Sequence, residues 1–489
     1  MTTEPNPAGI YIVKFYVNGT CKEITIDDYF PYDPKTRKPA FTQTQGNEIW
    51  VLILEKAWAK LNGSYENTIS GLTNDALSFL LPSPSSVIDH CYPKYNEEQM
   101  WNMIDNWENK GHIVCGSSQT EDTKQDMSKV GIVSMHAYTI SEIVEIHTST
   151  EGKIKLVRMR NPWGHHEWDG EWSDKSSKWT PKLRKKLNYY EKDDGEFFIS
   201  YPDYLTYYRT TSVTHFEPHY EISSIILKQA KSSFHHVEVS LKESTHFYFS
   251  VEQINPRLMK APFKNIQPSP SRIIIGKVTE EQKSGNRKYE FIDACFSYDQ
   301  ILVWDSKTQL DIGCYVIFIE VEWSSDSQVH EYVASVYSDN EVKFGIREST
   351  GLNHIFLEEV MKSCAKQRTE KYVYNDYKQP DIHRYMSIKD SQSDYGYVYY
   401  ENNSKSAILE EKVHFNEMEG FTLLFPYKGD SISVTVQPGE STIALLKRVE
   451  NKTKFACSFY TSIKENNLDL AKEAVSKGEK SNIEKGEYA

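Results

Sequence analysis

A histidine and an asparagine lie 25 residues apart in this sequence, each within a distinctive motif. His136 stands in S-M-H-A-Y-T-I, and Asn161 stands in R-M-R-N-P-W-G-H-H-E-W-D-G-E-W-S-D. In a thiol protease, an imidazole takes the proton of the nucleophilic cysteine, and a side-chain amide fixes the tautomer by accepting a hydrogen bond from the other ring nitrogen. The large ring of Trp163 is placed to shield that bond from water. The pair therefore indicates the proton-accepting half of a cysteine-protease site.

Taken alone, His136 is more often an ordinary core histidine, and Asn161-Pro162 an ordinary turn. Perturbed or well-placed residues indicate function only statistically. The weight of the hypothesis therefore rests on the motifs around the two residues and on the presence of a nucleophile.

The cysteines do not supply an obvious nucleophile. The chain has seven: Cys21, Cys91, Cys115, Cys295, Cys314, Cys364 and Cys457. Their odd number and the lack of C-x-x-C spacing disfavour a disulfide framework and a zinc site. Cys115 precedes Gly-Ser-Ser, which superficially resembles a papain-type segment, but it ends a predicted strand with no helix N-terminus to lower its pKa. We therefore expect Cys115 to be structural.

Composition places the chain among soluble globular proteins. Its 489 residues allow about three domains, and 39% are hydrophobic. The net charge of −13 is spread along the chain without a basic stripe, which argues against nucleic-acid binding. The N-terminus lacks a signal peptide and no apolar run reaches membrane length, so a reducing, cytoplasmic location is expected.

Local patterns predict the elements that position the two motifs. Strands at 10–17 and 20–26 flank an Asn-Gly turn, and helices follow near 48–61 and 96–109. Strands are predicted at 112–117, 131–140, 143–148, 153–160 and 196–201. A turn near 149–152 makes two of these strands a hairpin. Because His136 and Asn161 lie at similar distances from that turn, they are expected to meet at one end of one sheet.

The rest of the chain is predicted to be β-rich. Strands at regular spacing between about 215 and 345 indicate a sandwich. A helix at 353–366 and a second β-rich region to about 463 follow, and the charged tail after Lys464 is expected to be helical or frayed.

Several motifs together resemble the second catalytic subdomain of calpains, the calcium-dependent cysteine proteases. H-A-Y-T-I, then R-M-R-N-P-W-G-x-x-E-W-x-G-x-W-S-D and D-D-G-E-F-F recur in the family's order. I-T-I-D-D-Y-F-P and N-E-I-W-V-L-I-L-E-K-A-W-A-K-L-N-G-S-Y-E resemble its opening strands and first helix. The resemblance covers about residues 8–210. It implies that His136 and Asn161 are the catalytic histidine and asparagine and that Trp163 lies at the cleft.

The same resemblance implies a calcium site. Glu167 and Asp174 match acidic ligands of the first loop, Asp194 and Glu196 match those of the second, and Lys192 stands where the family supplies a backbone carbonyl. Hard oxygen ligands from two loops suit calcium, and binding would link the ion to the active-site geometry. The alternative is a solvated acidic surface. His165 and His166 are expected to be exposed loop residues.

The chain departs from the family pattern at the nucleophile. In calpains the cysteine lies in a Q-G-x-x-G-D-C-W segment of a first catalytic subdomain, and no Gly-Asp-Cys-Trp occurs here. We therefore expect this subdomain to be missing and the chain to be inactive on its own.

The resemblance extends to the C2-like domain through F-Y-F-S-V-E-Q-I-N-P-R, S-R-I-I-I-G-K-V and G-C-Y-V-I-F-I-E-V-E-W. The expected fold class is α+β: a papain-like, calpain-type subdomain with an antiparallel sheet and helices, followed by one or two β-sandwich domains. The predicted domains are 1–212, 213–346 and 347–489, the last with a short charged tail. No penta-EF-hand signature is present.

Three functions remain open at this point. The first is a calpain-type endopeptidase acting on protein substrates with a partner that supplies the missing subdomain. The second is a non-catalytic calpain-like protein that binds calcium or partners. The third is an interaction module whose C2-like domain contacts membranes in a calcium-dependent way.

Overall fold

The computed structural model describes residues 6–44, 48–91, 95–120, 127–148, 152–229, 234–255, 258, 267–281, 287–323, 330–340, 342–349, 355–388, 393–449, 453–465 and 480–488. In these residues the helices are α1 (Trp50–Asn62), α2 (Thr73–Leu80), α3 (Glu97–Asn109), α4 (Pro181–Lys186), α5 (Tyr201–Tyr207) and α6 (Ile355–Arg368). No helix in this part of the chain combines the length and the apolar character needed to cross a membrane.

The N-terminal residues form a β-hairpin packed on two helices. Its strands are β1 (Ile10–Val17) and β2 (Thr20–Asp27), followed by the short pair β3 (Tyr32–Asp33) and β4 (Lys38–Pro39). Asn18 and Gly19 both have positive φ, 50° and 72°, as a tight Asn-Gly hairpin turn requires. Alternate residues of β1 are buried against α1 and α2, which confirms the predicted hairpin and first helix.

A six-stranded antiparallel sheet carries the histidine and the asparagine. Its strand order is β5-β10-β6-β7-β8-β9, with β5 (Ser85–Asp89), β6 (Ile113–Ser118), β7 (Ala137–Thr148), β8 (Gly152–Arg160), β9 (Glu196–Ser200) and β10 (Tyr208–Thr214). Helix α3 packs Met100, Trp101, Ile104 and Trp107 against it, and Asn96 caps that helix with Gln99.

The sheet differs from the predicted strands at two places. Residues 137–148 form one strand with an irregular register near Ile140, whereas two strands were predicted from 131. The predicted turn residues 149–151 lie outside the described residues. Strand β10 continues to Thr214, so the first sheet runs slightly past the predicted boundary at 212.

Two β-sandwiches follow. In the first, the sheets have the orders β11-β18-β13-β16 and β15-β14-β17-β12-β19. The strands are β11 (Glu221–Lys228), β12 (Phe234–Leu241), β13 (Phe247–Gln253), β14 (Ser271–Glu281), β15 (Arg287–Ser297), β16 (Ile301–Asp305), β17 (Gly313–Val321), β18 (Glu331–Ser338) and β19 (Lys343–Ser349). Their inner faces form one core that includes Phe249, Ile275 and Trp304.

The second sandwich has the sheet orders β20-β21-β22-β26-β24 and β25-β23-β27-β28. Its strands are β20 (Tyr372–Tyr374), β21 (Gln379–Ser387), β22 (Tyr395–Asn402), β23 (Ala407–Glu419), β24 (Phe421–Leu423), β25 (Ser431–Val436), β26 (Ser441–Arg448), β27 (Thr453–Glu465) and β28 (Lys480–Tyr488). The prediction of a helical or frayed tail is wrong for 480–488, because β28 pairs with β27 and satisfies the backbone groups of its edge.

Helix α6 lies between the two sandwiches. Its buried residues, including Phe356 and Val360, belong to a core shared with the outer faces of β14, β15 and β17 and of β21, β22 and β26. The predicted helix start at 353 lies outside the described residues. The α+β fold class with two sandwiches after the protease region is confirmed, whereas the domain boundaries at 212 and 346 stay predictions.

Candidate active site

The antiparallel pairing of β7 and β8 brings His136 and Asn161 together. His136 directly precedes β7 and Asn161 directly follows β8, and Thr139 pairs with Arg160 at that end of the sheet. The imidazole Nε2 lies 2.9 Å from the Asn161 amide oxygen Oδ1. The separation is that of a hydrogen bond, so Nε2 is the nitrogen that carries hydrogen when the ring is neutral.

Asn161 is completely buried and is held at every polar group. Its backbone N–H donates to Gly195 O at 2.9 Å, and its Nδ2 donates to His166 O at 3.1 Å. Its Oδ1 also accepts the backbone N–H of Trp163 at 3.0 Å. The amide oxygen therefore has a fixed direction before any substrate is present.

Aromatic rings enclose the histidine. The Trp163 ring lies 4.3 Å from the imidazole and is itself 52% exposed, and the Tyr138 ring contacts it edge-on at 5.1 Å. Burial lowers the pKa of His136, and the hydrogen bond that the ring donates to Asn161 partly opposes this. The ring is therefore neutral near neutral pH, as a general base must be. His165 and His166 are exposed beside Trp163.

Ser118, which sequence reasoning missed, holds the backbone of the histidine. Its hydroxyl accepts the N–H of His136 at 2.9 Å and donates to Val133 O at 2.6 Å, and its own N–H donates to His136 O at 3.0 Å. Met135, between them, has a left-handed φ of 51° and is 77% exposed. No local pattern marks Ser118, since it is one serine in a run of polar residues at the end of β6.

Cys115, the thiol with the most suggestive sequence context, has no nucleophilic character. It lies inside β6 and is buried, and burial raises the pKa of its thiol to about 11. The thiol is therefore protonated at neutral pH. Its position in the middle of a paired strand supports the structural role that we expected.

The predicted calcium ligands lie in two neighbouring loops that are joined by hydrogen bonds. Glu167 Oε1 accepts the backbone N–H groups of Asp194 at 3.0 Å and of Gly195 at 2.7 Å. Asp174 accepts a hydrogen bond from the Tyr189 hydroxyl and another from the Lys192 N–H at 2.8 Å. Lys192 thus turns its N–H toward the acidic group.

The charges of this acidic pair of loops are only partly balanced. Burial, with the neighbouring Asp174, raises the pKa of Glu167, and burial, with the neighbouring Asp194, raises the pKa of Asp174. Glu196 instead pairs with Arg158 at 2.7 Å. In the part of the chain that the structure describes, no three His, Cys, Asp or Glu side chains are arranged to hold a metal ion. The donors suit calcium in type, but the Glu196 carboxylate is paired with Arg158.

Comparison with known families matches residues 1–215 to the family described as calpain family cysteine protease. Calpain-type cysteine protease ADL1 of Oryza sativa subsp. japonica is 36% identical over 225 residues, which are 45% of this chain and 10% of that protein. Calpain-8 of Rattus norvegicus is 32% identical over 43% of this chain and 30% of its own length. Calpain-7 of Homo sapiens is 30% identical over 42% of this chain and 26% of its own length.

These matches cover the protease region and leave the two sandwiches unmatched. The chain spans only 10% to 30% of the length of these three relatives. The motifs around His136 and Asn161, and the sheet that unites them, lie inside the matched segment. Residues 1–215 of this chain therefore belong to the calpain family of cysteine proteases.

Proposed function

We propose that this chain supplies the proton-accepting half of a calpain-type, calcium-dependent cysteine endopeptidase that carries out limited proteolysis in the cytoplasm. The 2.9 Å contact between His136 and Asn161 carries the proposal. It is supported by the fixed orientation of the amide and by the Trp163 ring over the imidazole.

The hydrogen bond to Asn161 defines the chemistry available to the histidine. Because Nε2–H donates to the amide, the lone pair of the neutral ring is on Nδ1. Nδ1 would take the proton of a thiol, giving a thiolate and an imidazolium, and would return that proton to the leaving amine of the peptide. Asn161 keeps the ring in the correct tautomer through both steps.

No cysteine of this sequence stands in the Gly-Asp-Cys-Trp context of the family, so we propose that the chain alone has no peptidase activity. Cys115 is buried and protonated, and Gly-Asp-Cys-Trp does not occur in the sequence. The nucleophile would come from a partner that supplies the first subdomain.

The test is casein hydrolysis by the purified chain in millimolar calcium. We expect no turnover above a blank. Turnover that His136→Ala removes, while the exposed His147→Ala leaves it unchanged, would show that a thiol of this chain serves the site and would contradict the proposed inactivity.

Calcium binding by the two acidic loops is a second part of the proposal. Burial, together with repulsion from neighbouring carboxylates, raises the pKa values of Glu167 and Asp174, and a cation would offset that repulsion. Because Glu167 already ties Gly195 to its own loop, an ion there would stabilise the segment that holds Asn161. Asp194 would join the ligands through its carboxylate and Lys192 through its backbone carbonyl, and Glu196 would join only if it leaves Arg158.

The prediction is that calcium raises the melting temperature of the chain. A site filled at about 100 times its Kd stabilises the folded state by about 2.7 kcal/mol, which corresponds to several degrees. Asp174→Ala combined with Asp194→Ala should abolish the shift, whereas Asp169→Ala, an exposed acid of the same loop, should leave it unchanged. A melting temperature that does not respond to calcium in the unmutated chain would rule out this site.

The first sandwich is proposed to contact membranes in a calcium-dependent way, in line with its C2-like resemblance. Sedimentation with anionic liposomes, with calcium and with chelator, tests this. Equal pelleting under both conditions would contradict it and leave the sandwich as a protein-binding or structural unit.

A further inference from the structure

A cluster of histidines fills the junction between the protease sheet and the first sandwich. His112, directly before β6, and His215, directly after β10, come from the sheet. His246 and Tyr248, at the start of β13, come from the sandwich, as does Asp305 at the end of β16. The rings contact one another in series across the boundary: His112 meets His215 edge-on at 5.2 Å, His215 stacks on Tyr248 at 4.8 Å, and Tyr248 meets His246 edge-on at 4.9 Å.

His215 is the centre of the junction and has little that would accept a second proton. It is 5% exposed, and its Nε2 lies 3.2 Å from the Ser86 hydroxyl. Its Nδ1 has no hydrogen-bond partner among the described residues. Trp107 packs edge-on against the other side of its ring. An imidazolium at this position would be a buried charge without a hydrogen-bonded counter-ion.

The groups that face His112 are mixed in charge. Its Nδ1 lies 3.2 Å from Phe216 O, so Nδ1 donates and Nε2 carries the lone pair. Glu217 lies 3.9 Å from that Nε2, and the charge of Lys110 acts in the opposite direction. Burial is the largest influence and lowers the pKa of His112. Burial likewise lowers the pKa of His215, and His112 adds to this by like-charge repulsion.

On the sandwich side of the junction, the charged group is the Asp305 carboxylate, and it has a hydrogen-bond partner. Asp305 accepts a hydrogen bond from His246 Nε2 at 2.8 Å, and His246 Nδ1 lies 2.6 Å from the Tyr220 hydroxyl. Although burial opposes it, the bond from His246 holds the pKa of Asp305 below its ordinary value. The Asp305 carboxylate is thus hydrogen-bonded to His246. It attracts a proton on His215 only electrostatically, without a hydrogen bond.

We propose that this junction is a proton-controlled latch between the protease sheet and the first sandwich. At neutral pH, uncharged His112 and His215 let the rings stack and the two units dock. In acid, separation lets water reach both imidazoles and lets them bind protons. This regulation is a property of the whole chain and stands whether or not the proposed proteolytic function is correct.

Proton linkage determines how the docking of the two units changes with pH. A histidine whose pKa is lowered in the docked state, against about 6.5 in the separated state, leaves docking intact above pH 6.5 and weakens it as the pH falls below that value. At pH 5.5 the separated state gains a factor of about ten for each histidine that stays neutral when docked. Two further contacts join the units: the β1–β2 turn lies against Ser224 and Val333, and Asn255 Nδ2 donates a hydrogen bond to Asp75.

The test is hydrogen exchange of the full chain at pH 7.5 and 5.5, corrected for the intrinsic pH dependence of exchange. We expect about ten-fold or greater loss of protection at β5, β13 and β16, with the second sandwich core unchanged. His215→Phe, which keeps a ring, and His215→Gln, which keeps a group able to bond Ser86, should each reduce the difference by the factor of about ten that His215 contributes. His147→Gln, on the exposed face of β7, is the matched control and should behave as the parent chain.

Two results would overturn the latch. One is equal protection of the junction at both pH values in the parent chain. The other is a pH difference that stays as large as in the parent chain in whichever His215 variant folds. An NMR titration of the histidines in the intact chain gives an independent check, because imidazoles of His112 and His215 that titrate near 6.5 without loss of junction protection would also refute it.

Discussion

At the residue scale, the geometry of the imidazole depends on a serine hydroxyl that both accepts and donates. Ser118 is buried, and its hydroxyl links the N–H of His136 to the carbonyl of Val133. Because Met135 is exposed and in the left-handed region, packing of its side chain does not anchor this turn. The Ser118 hydroxyl, and not the burial of a side chain, therefore holds this turn in place.

We predict that Ser118→Ala destabilises the chain by about 1–3 kcal/mol, because it leaves a buried donor and acceptor unpaired. Urea unfolding measures the change. Ser118→Thr keeps a hydroxyl and should recover most of the loss, and Ser117→Ala is the neighbouring control. A Ser118→Ala chain as stable as the Ser117→Ala chain would show that the hydroxyl does not hold this turn.

At the element scale, the loop before β9 controls where β8 ends. Gly195 has a φ of 84°, and its carbonyl accepts the N–H of Asn161 at 2.9 Å. A Cβ at this position would lie 2.8 Å from Asn161 O and 2.9 Å from Gly164 Cα, both backbone atoms. The two loops can approach this closely only because residue 195 lacks a side chain.

Gly195→Ala should therefore cost more than the left-handed backbone alone, which is about 1–2 kcal/mol. Gly152→Ala is the matched control, since its φ is 72° and nothing lies within 4 Å of an added Cβ. The measurement is the free energy of unfolding of both variants, together with the NMR signals of the His136 ring. Equal losses in the two variants would show that crowding at residue 195 is unimportant.

At the scale of the whole molecule, a buried charge network joins the two sandwiches beside α6. Arg272 on β14 is 1% exposed and pairs with Glu320 on β17, with Glu322, and with Asp394 next to β22. Lys447 on β26 completes the network by pairing with Glu320 at 2.7 Å. Although burial opposes it, the charges of Arg272 and Lys447 lower the pKa of Glu320 to about 2. The orientation of the sandwiches is thus tied to ionised groups.

The lowered pKa of Glu320 determines how its contribution to stability changes with pH. A carboxyl whose pKa falls from 4.5 to about 2 on folding adds stability above pH 4.5 that is lost as the pH falls toward 2. We predict that Glu320→Gln is less stable than the parent at pH 6 and that this gap shrinks toward pH 2. Thermal unfolding across that range measures it, with Glu280→Gln, an exposed acid on β14, as control. A gap independent of pH would contradict the lowered pKa.

Local patterns predicted the elements whose signals lie within a few residues. The hairpin β1–β2 follows from the strand-forming residues on either side of Asn18-Gly19, and α3 follows from the apolar face of residues 96–109. The spacing about one turn was enough to predict that His136 and Asn161 share a sheet end. The resemblance of the motifs to calpains predicted the family of residues 1–215, which the comparisons confirm.

The tertiary structure alone decided the features that depend on distant partners. Ser118 and Gly195 matter because of what the fold places beside them, and β28 exists because β27 offers it an open edge. At the junction, His112 contacts Phe216, which lies more than 100 residues further along the chain. Periodicity reports which side of an element is apolar, but contact between remote segments is set by packing of the complete chain, and no local pattern encodes it.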